Sequence, residues 1–519
     1  MAATLTAIIE IGSTGIRLHV AEIYSNIGAG SAWKVLDRAV RPVSLGRDVF
    51  TTGVLSRESM LECLAVLQNF RELLSGWSIE DENIHAIATS ALRVARNRDV
   101  FIDRVRQETG FSFSIVEGIE ENRLMYLAVR FALKQDLPLF WRANSMIVEI
   151  GGGSTEIMLL RRGQMVAAHS LKLGTIMITQ RSRHIFGKGF FYERYLNENI
   201  KNTLAMLNMD MDLNRIRTLV AAGSDARLAA DKAGRDLNEY CKIIERDNFI
   251  AFVDKVRNYS IEDCIREFGI TYTDAEGLLL GLFILKLFLE RTGAPIIAVP
   301  LVTIRDGYLI DLASGVDSSL QDEFSSQIIA SAVNLGRKFH FDEAHGCHVA
   351  QLCMTIFDAL LNEHGMNTRH RVLLETAAVL HDIGTYIKPS GHQKHGQYIV
   401  ANSEIFGLHQ DELAIIANVI NSHRGDPPSQ SDIDFMMLQR EDRVCVLKLA
   451  SILRVADALD RGHTQQIKKI TVERRPETVV LHAGRAAGGH GFDLSLELMG
   501  IEEKGRLFQD VFGYKVILN

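Results

Sequence analysis

The chain has 519 residues, of which 47% are hydrophobic and 23% charged, and it carries a formal net charge of −7. That length predicts three or four domains, and the acidic balance argues against general nucleic-acid binding, so a polyanionic ligand would need a local basic surface. No run approaches about 18 uninterrupted apolar residues, and the N-terminus lacks the basic-then-apolar pattern of a leader, so no membrane span is expected. The six cysteines form no CxxC pair, which favours reduced thiols in a cytoplasmic protein over disulfides or zinc.

In chain order, residues 5–45 alternate as strands, punctuated by Gly12, Gly15 and the stretch 26–31. A helix is predicted over 57–75 from Met60, Leu61, Leu64, Leu67, Phe70 and Leu74. A buried strand at 84–89 ends at Ser90-Ala91-Leu92-Arg93. A helix over 98–109, a strand at 113–116 and a helix from Gly118 to about Lys134 follow, an alternation that defines an α/β domain. The pattern begins again at Val148, includes a strand and turn over 218–224, and ends in a strand-and-helix segment at 304–309. From about 320 the periodicity is helical and rich in histidine. After 467 it returns to strand-like alternation, at 479–482 and 492–496. The expected domains are 1–128, 129–319, 320–466 and 467–519. A basic stretch contains Arg161, Arg162, Lys172, Arg181, Arg183, Lys188 and Arg194 against only Glu193; it reads either as a solvated face or as an anion surface.

One segment occurs twice. Ile9-Glu10-Ile11-Gly12-Ser13-Thr14-Gly15 and Val148-Glu149-Ile150-Gly151-Gly152-Gly153-Ser154-Thr155-Glu156 each run from an apolar strand through an acid and a glycine-rich turn into a second strand. Such a turn, with glycine free to take φ > 0, closes backbone N–H groups around an oxyanion. Two of them can hold a phosphate chain, and an acid beside each can bind Mg²⁺ or a water.

These hairpins, with Ala88-Thr89-Ser90-Ala91-Leu92-Arg93, Gly118-Ile119-Glu120-Glu121, Ala222-Gly223-Ser224 and Arg305-Asp306-Gly307, resemble the exopolyphosphatase / guanosine pentaphosphate phosphohydrolase family. The resemblance extends over nearly the whole chain. It implies an α/β, duplicated actin/sugar kinase/Hsp70-like (ribonuclease H-like) pair of domains, followed by an all-α HD-like domain and a small α/β domain. It also implies Mg²⁺-dependent release of orthophosphate from the end of inorganic polyphosphate, or removal of the 5′ γ-phosphate of guanosine pentaphosphate, by a homodimer.

By that resemblance Glu121 is the general base, with Glu120 as the other choice, and Arg93 clamps phosphate. Gly12, Ser13, Thr14, Gly151, Gly152, Gly153, Ser154, Thr155, Gly223 and Ser224 hold the substrate, and Glu156, Glu149 and Glu10 are Mg²⁺ ligands. The sequence departs from the family at Glu10 and Glu149, where aspartates are usual, and at Thr14, where Asn is commoner. An extra methylene moves a carboxylate by about 1 Å, which can cost about 10²-fold in rate unless compensated. The paired change predicts two longer acids facing one metal and water.

In the helical region His345, His381-Asp382 and Asp457 reproduce the ligand order of an HD phosphohydrolase, implying a second divalent metal, with His392, His395 and His423 as further family-like histidines. A different reading makes the N-terminal pair a phosphate sensor and places hydrolysis in this helical region. A sugar kinase is disfavoured, since nothing specifies an acceptor-sugar site.

Overall fold

The computed structural model describes residues 3–24, 33–133, 136–183, 191–314, 318–484 and 493–519, and the chain forms two compact units, Met1–Glu323 and Phe324–Asn519.

The first unit contains two sheets that repeat one wiring. In the first, β1 (Ala3–Ile11), β2 (Gly15–Tyr24) and β3 (Trp33–Pro42) form an antiparallel meander, and β4 (Ile84–Ala88) and β5 (Phe113–Ile115) add in parallel, giving the order β3-β2-β1-β4-β5. In the second, β6 (Asn144–Ile150), β7 (Thr155–Arg161) and β8 (Gln164–Leu171) form the meander. β9 (Ile216–Ala222), β10 (Arg235–Asn238), β11 (Cys241–Glu245) and β12 (Ile296–Pro300) complete the order β10-β11-β12-β9-β6-β7-β8. β1 and β6 lie inside their sheets and are covered on both faces, which is why they read as nearly continuous apolar runs. The acids Glu10 and Glu149 are the exceptions within them.

Two helices position the chemistry. Gly118–Leu133 follows β5, and Ile304–Ser314 follows β12. The segment 304–309, expected to begin as strand, is helical from Ile304, because Asp306 caps it: its Oδ2 accepts from Thr303 N and Oγ1, both at 2.7 Å. The helices cross closely, and a Cβ on Gly307 would overlap the carbonyl of Leu124. Arg123 bonds both ways across the crossing, to Glu120 (2.7 and 2.6 Å) and to Asp311 (2.6 and 2.8 Å).

In the second unit the helices Glu343–Ala359, Thr368–Leu380, His392–Ala401, Gln410–Ser422 and Arg440–Ala458 share one apolar core with a small sheet. The sheet is β13 (Lys469–Arg474), β14 (Thr478–Gly484) and β15 (Lys515–Leu518), ordered β13-β14-β15. The strand expected over 492–496 is not formed by its described residues. Asp493 Oδ1 accepts from Ser495 N at 2.9 Å, and Ser495–Phe512 is a helix. The 3.6-residue spacing of Leu494, Ile501, Leu507, Phe508 and Val511 wins over the short alternation. Phe492 lies outside the described residues.

Arg123→Met leaves Glu120 and Asp311 without their shared cation. Asp311 is 38% exposed, so the expected loss is about 2–3 kcal/mol, below the range for a fully buried pair. Urea unfolding followed at the first unit checks this, and a change under 0.5 kcal/mol would make the crossing indifferent to Arg123.

Candidate active site

The two glycine turns close identically: Gly12 N donates to Gly15 O and Gly151 N to Ser154 O, both at 2.9 Å. They also face each other, since a Cβ on Gly152 would stand 3.1 Å from Ser13 Cβ. The expectation that these glycines serve by taking positive φ is corrected: none of Gly12, Gly15, Gly151, Gly152 or Gly153 does so. At Gly15, Gly152 and Gly153 the reason is instead lack of room. Ile176 crowds Gly152, Phe50 and Ser90 crowd Gly153, and the Arg41 carbonyl lies against Gly15. Gly223 does take φ 111, turning β9 into the helix Ser224–Ala233, whose N-terminus opens on the same cleft.

Strand register separates the two copies. On β1 and β2 Glu10 stands opposite Arg17, whereas on β6 and β7 Glu149 stands opposite Glu156. The first acid is therefore neutralised, by Arg17 at 3.7 Å and by an ion pair with buried Arg305. Among the described residues no basic side chain pairs with Glu149 within 4 Å. Burial, then the charge of Glu121, pushes its carboxyl up to about 8. Burial and Glu121 likewise hold Glu156 well above the usual range, against Ser170, which donates to it at 2.8 Å. Asn122 Nδ2 donates to its other oxygen at 3.3 Å. Glu121 is raised by burial, with Arg93 opposing; Arg93 Nη1 bonds Glu121 Oε2 and the Val116 carbonyl, both at 2.7 Å.

The cleft thus gathers Glu10, Gly12, Ser13, Thr14, Glu121, Glu149, Gly151, Gly152, Ser154, Glu156, Gly223 and Ser224. Arg93 stands behind Glu121, Gly153 is packed under Phe50 and Ser90, and the Thr155 hydroxyl is spent on the Leu173 carbonyl at 2.6 Å. The sequence reading missed Arg17, Ser90, Asp225, Arg227 and Asp274, which also line the cleft. Arg17 had a detectable signal: it occupies, in the first copy, the place of Glu156 in the second. Of the basic stretch, the side chains of Arg181, Arg183, Lys188 and Arg194 lie outside the described residues. Among the described residues, sets of three metal-ligating atoms within 4.8 Å of one another occur in the second unit and not in this cleft. Glu10, Glu149 and Glu156 therefore do not form such a set.

In the second unit the helices bring His345, His381, Asp382 and Asp457 together. His345 Nε2 is 3.2 Å from His381 Nε2, 3.6 Å from Asp457 and 3.9 Å from Asp382. His392 and His423 join from the other side of Asp382, while His395 does not. Asp460, three residues after Asp457, turns instead to His345 Nδ1 at 2.8 Å.

Two meander-plus-parallel sheets of the actin-like type meet at paired glycine turns over buried acids. The Ppx/GppA phosphatase family matches residues 23–314, and Ppx/GppA phosphatase domain III matches 329–483. The chain belongs to this family, and it is a phosphoanhydride hydrolase. A guanosine-5′-triphosphate,3′-diphosphate pyrophosphatase of Pseudoalteromonas atlantica is 23% identical over 87% of this chain and 85% of its own. One from Aeromonas hydrophila is 23% identical over 92% of each. An exopolyphosphatase structure from Cytophaga hutchinsonii has 19% identity and a TM-score of 0.53, covering 60% of this chain and 99% of its own. No helix among the described residues is long and apolar enough to cross a membrane.

His19 on β2 supports the Glu10 end of the cleft, accepting from Arg305 Nε at 3.2 Å. Burial, opposed by Asp306 and aided by Arg38, holds its imidazole down from 6.5 to about 4. Between those values the unfolded chain binds the extra proton. Stability is therefore complete above pH 6.5 and falls with pH through this window, by on the order of 3 kcal/mol at most. His19→Gln keeps an acceptor for Arg305 and is expected to remove that part of the pH dependence. Equal losses in wild type and variant between pH 7 and 4.5, measured by urea unfolding, would contradict it.

Proposed function

We propose that the cleft hydrolyses the terminal phosphate of inorganic polyphosphate, releasing orthophosphate, with Glu121 as general base. The observation that carries this reading is the Glu149–Glu156 pair beside the apposed turns, lining one cleft with an arginine-held Glu121 in the first turn of its helix. Terminal phosphoanhydride cleavage needs an in-line water, a base to orient it and neutralisation of the phosphoryl oxygens. Glu121, its proton affinity raised by burial, takes the water's proton. Arg93 fixes the direction in which it points. The turns 12–14 and 151–154 and the helix beginning at Ser224 offer N–H groups and hydroxyls to successive phosphates.

Two like charges facing across a β-ladder are unfavourable unless a cation or proton relieves them. This donor set fits Mg²⁺, which commonly binds through one or two carboxylates together with substrate phosphates. Glu149 and Glu156 would hold it, and it would neutralise phosphoryl charge. Glu10, already paired with Arg17 and Arg305, serves better as an anchor for those two guanidiniums than as a ligand. The idea of two longer acids around one metal is thereby narrowed to the second hairpin.

Guanosine pentaphosphate is the competing substrate, favoured by the names of relatives that match along almost their whole length. A hydrolytic metal in an HD-like second unit is a further reading, supported by the convergence of His345, His381, Asp382 and Asp457. Homodimerisation rests on the family resemblance.

Orthophosphate release from long polyphosphate and from guanosine pentaphosphate separates these readings. Glu121→Ala is expected to lower kcat by about 10²–10⁴-fold on the preferred substrate, whereas the double change His381→Ala and Asp382→Ala leaves it within about threefold. The reverse pattern would move the chemistry to the second unit. Because Glu121 must be ionised to act and its proton is held above the ordinary glutamate range, activity is expected to fall on the acid side at a pH above 4.5. A pH–rate profile flat down to that value would remove Glu121 from the role of base.

A further inference from the structure

Among the described residues that line the first unit's cleft, three arginines occur: Arg17, Arg227 and Arg305. Arg17 and Arg305 are both paired with Glu10, and Arg17 Nη2 also donates to Thr14 Oγ1 at 2.9 Å. Arg227 is the exception. It is half-buried, no acid among the described residues lies within 4 Å of its guanidinium, and its side-chain hydrogen bond is long, Nη1 to the Val302 carbonyl at 3.5 Å. Its placement is unfavourable in two further ways. It stands in the first turn of the helix Ser224–Ala233, so its charge sits at the positive end of the helix dipole. Burial pulls its proton affinity below the usual arginine range; Glu149, Asp306 and Asp225 oppose this from a distance, while the charge of Arg17 adds to it. An anion in the cleft relieves burial, dipole and like-charge repulsion together.

The position of Arg227 along the cleft says which anion. Glu149 has Glu121 and then Arg227 as its strongest charged neighbours, whereas the charges acting on Glu121 are those of Arg93 and Glu117. Arg227 therefore lies across Glu149 from the candidate base. In an in-line displacement the leaving oxygen departs opposite the attacking water. A water aimed by Glu121 thus sends the leaving group away from Glu121 and toward Arg227. The guanidinium offers a planar fork that fits two phosphoryl oxygens at once.

We propose that Arg227 is a further catalytic residue, whose guanidinium holds the phosphoryl group next to the terminal one and takes up the negative charge of the leaving oxygen. This rests on reading the cleft as the hydrolytic centre with Glu121 as base, and adds the partner of the leaving group. The water oxygen bonds to the terminal phosphorus, and the water's proton passes to Glu121. The bond from that phosphorus to the bridging oxygen breaks, and its electron pair stays on the bridging oxygen, which belongs to the shortened chain. Negative charge thus builds up beside Arg227 as the bond breaks. A cation that is ill-placed in the free protein and well-placed in the transition state is what differential binding requires.

Arg227→Gln keeps an N–H donor for the Val302 carbonyl and removes the charge, whereas Arg227→Lys keeps the charge and removes the fork. Both are made in the full chain and assayed by orthophosphate release from polyphosphate and from guanosine pentaphosphate. On the preferred substrate the Gln variant is expected to lose about 10²–10³-fold in kcat, with KM changed by less than about tenfold. The Lys variant is expected to recover at least about tenfold of that loss. Urea unfolding followed at the first unit is expected to give the Gln variant a midpoint no lower than wild type. A kcat within about threefold of wild type would overturn the proposal. A fall in kcat that comes with a lower urea midpoint and no recovery in the Lys variant would overturn it too, since it marks a structural role. Activity that survives Glu121→Ala removes the cleft reading itself, whatever Arg227 does. Activity that needs Glu121 but tolerates Arg227→Gln removes only the leaving-group role.

Discussion

A β-ladder forces directly opposed residues onto one face at about 5 Å, so it decides which charges must live together. In this protein that constraint falls differently on two copies of one hairpin. The first sets Glu10 against Arg17; the second sets Glu149 against Glu156. The two halves share a wiring, a turn and an acid, yet one offers a neutralised pair and the other an uncompensated one. The second hairpin is therefore where a cation or a proton is needed. The first supplies fixed positive charge at the opposite lip, through Arg17 and Arg305.

The asymmetry organises the rest of the cleft. Glu121 lies near enough to Glu149 and Glu156 to raise both carboxyls, and Arg93 restrains it. Its helix, Gly118–Leu133, is held against Ile304–Ser314 by the absence of a side chain at Gly307 and by the bonds of Arg123. The second of those helices begins with Ile304 and Arg305, so the crossing that places Glu121 also places the guanidinium paired with Glu10. A change at Gly307 would thus disturb both lips of the cleft without touching a phosphate.

Much of this was legible in the chain. Apolar runs with a single acid announced the central strands, and the repeated glycine turns announced the duplication. The order of motifs announced the family. Register was not legible. The pairing of Glu10 with Arg17 depends on the turn closing between Gly12 and Gly15, and nothing in a linear reading fixes which side chains then share a face. The reason for the glycines was misread as well, because crowding by Ile176, Phe50 and Ser90 comes from distant segments. Thr155 looked like a phosphate ligand by position, but its hydroxyl serves the Leu173 carbonyl. At 492–496 five residues of alternation could not reveal a helix whose apolar period extends over eighteen residues.

The second unit shows the same principle with a different outcome. Its histidines are separated by 36 residues between His345 and His381 and by 31 between His392 and His423, and only the bundle brings them face to face. The direction of each ring distinguishes them from another buried histidine, His364. A structural histidine uses both nitrogens, as His364 does when it binds the Phe357 carbonyl through Nε2 and the Met366 N–H through Nδ1. The rings of His381, His392 and His423 spend Nδ1 on the backbone and turn Nε2 toward another nitrogen. Nitrogen therefore faces nitrogen in two pairs, at 3.2 Å between His345 and His381 and 3.1 Å between His392 and His423, so each pair must share a proton or another cation.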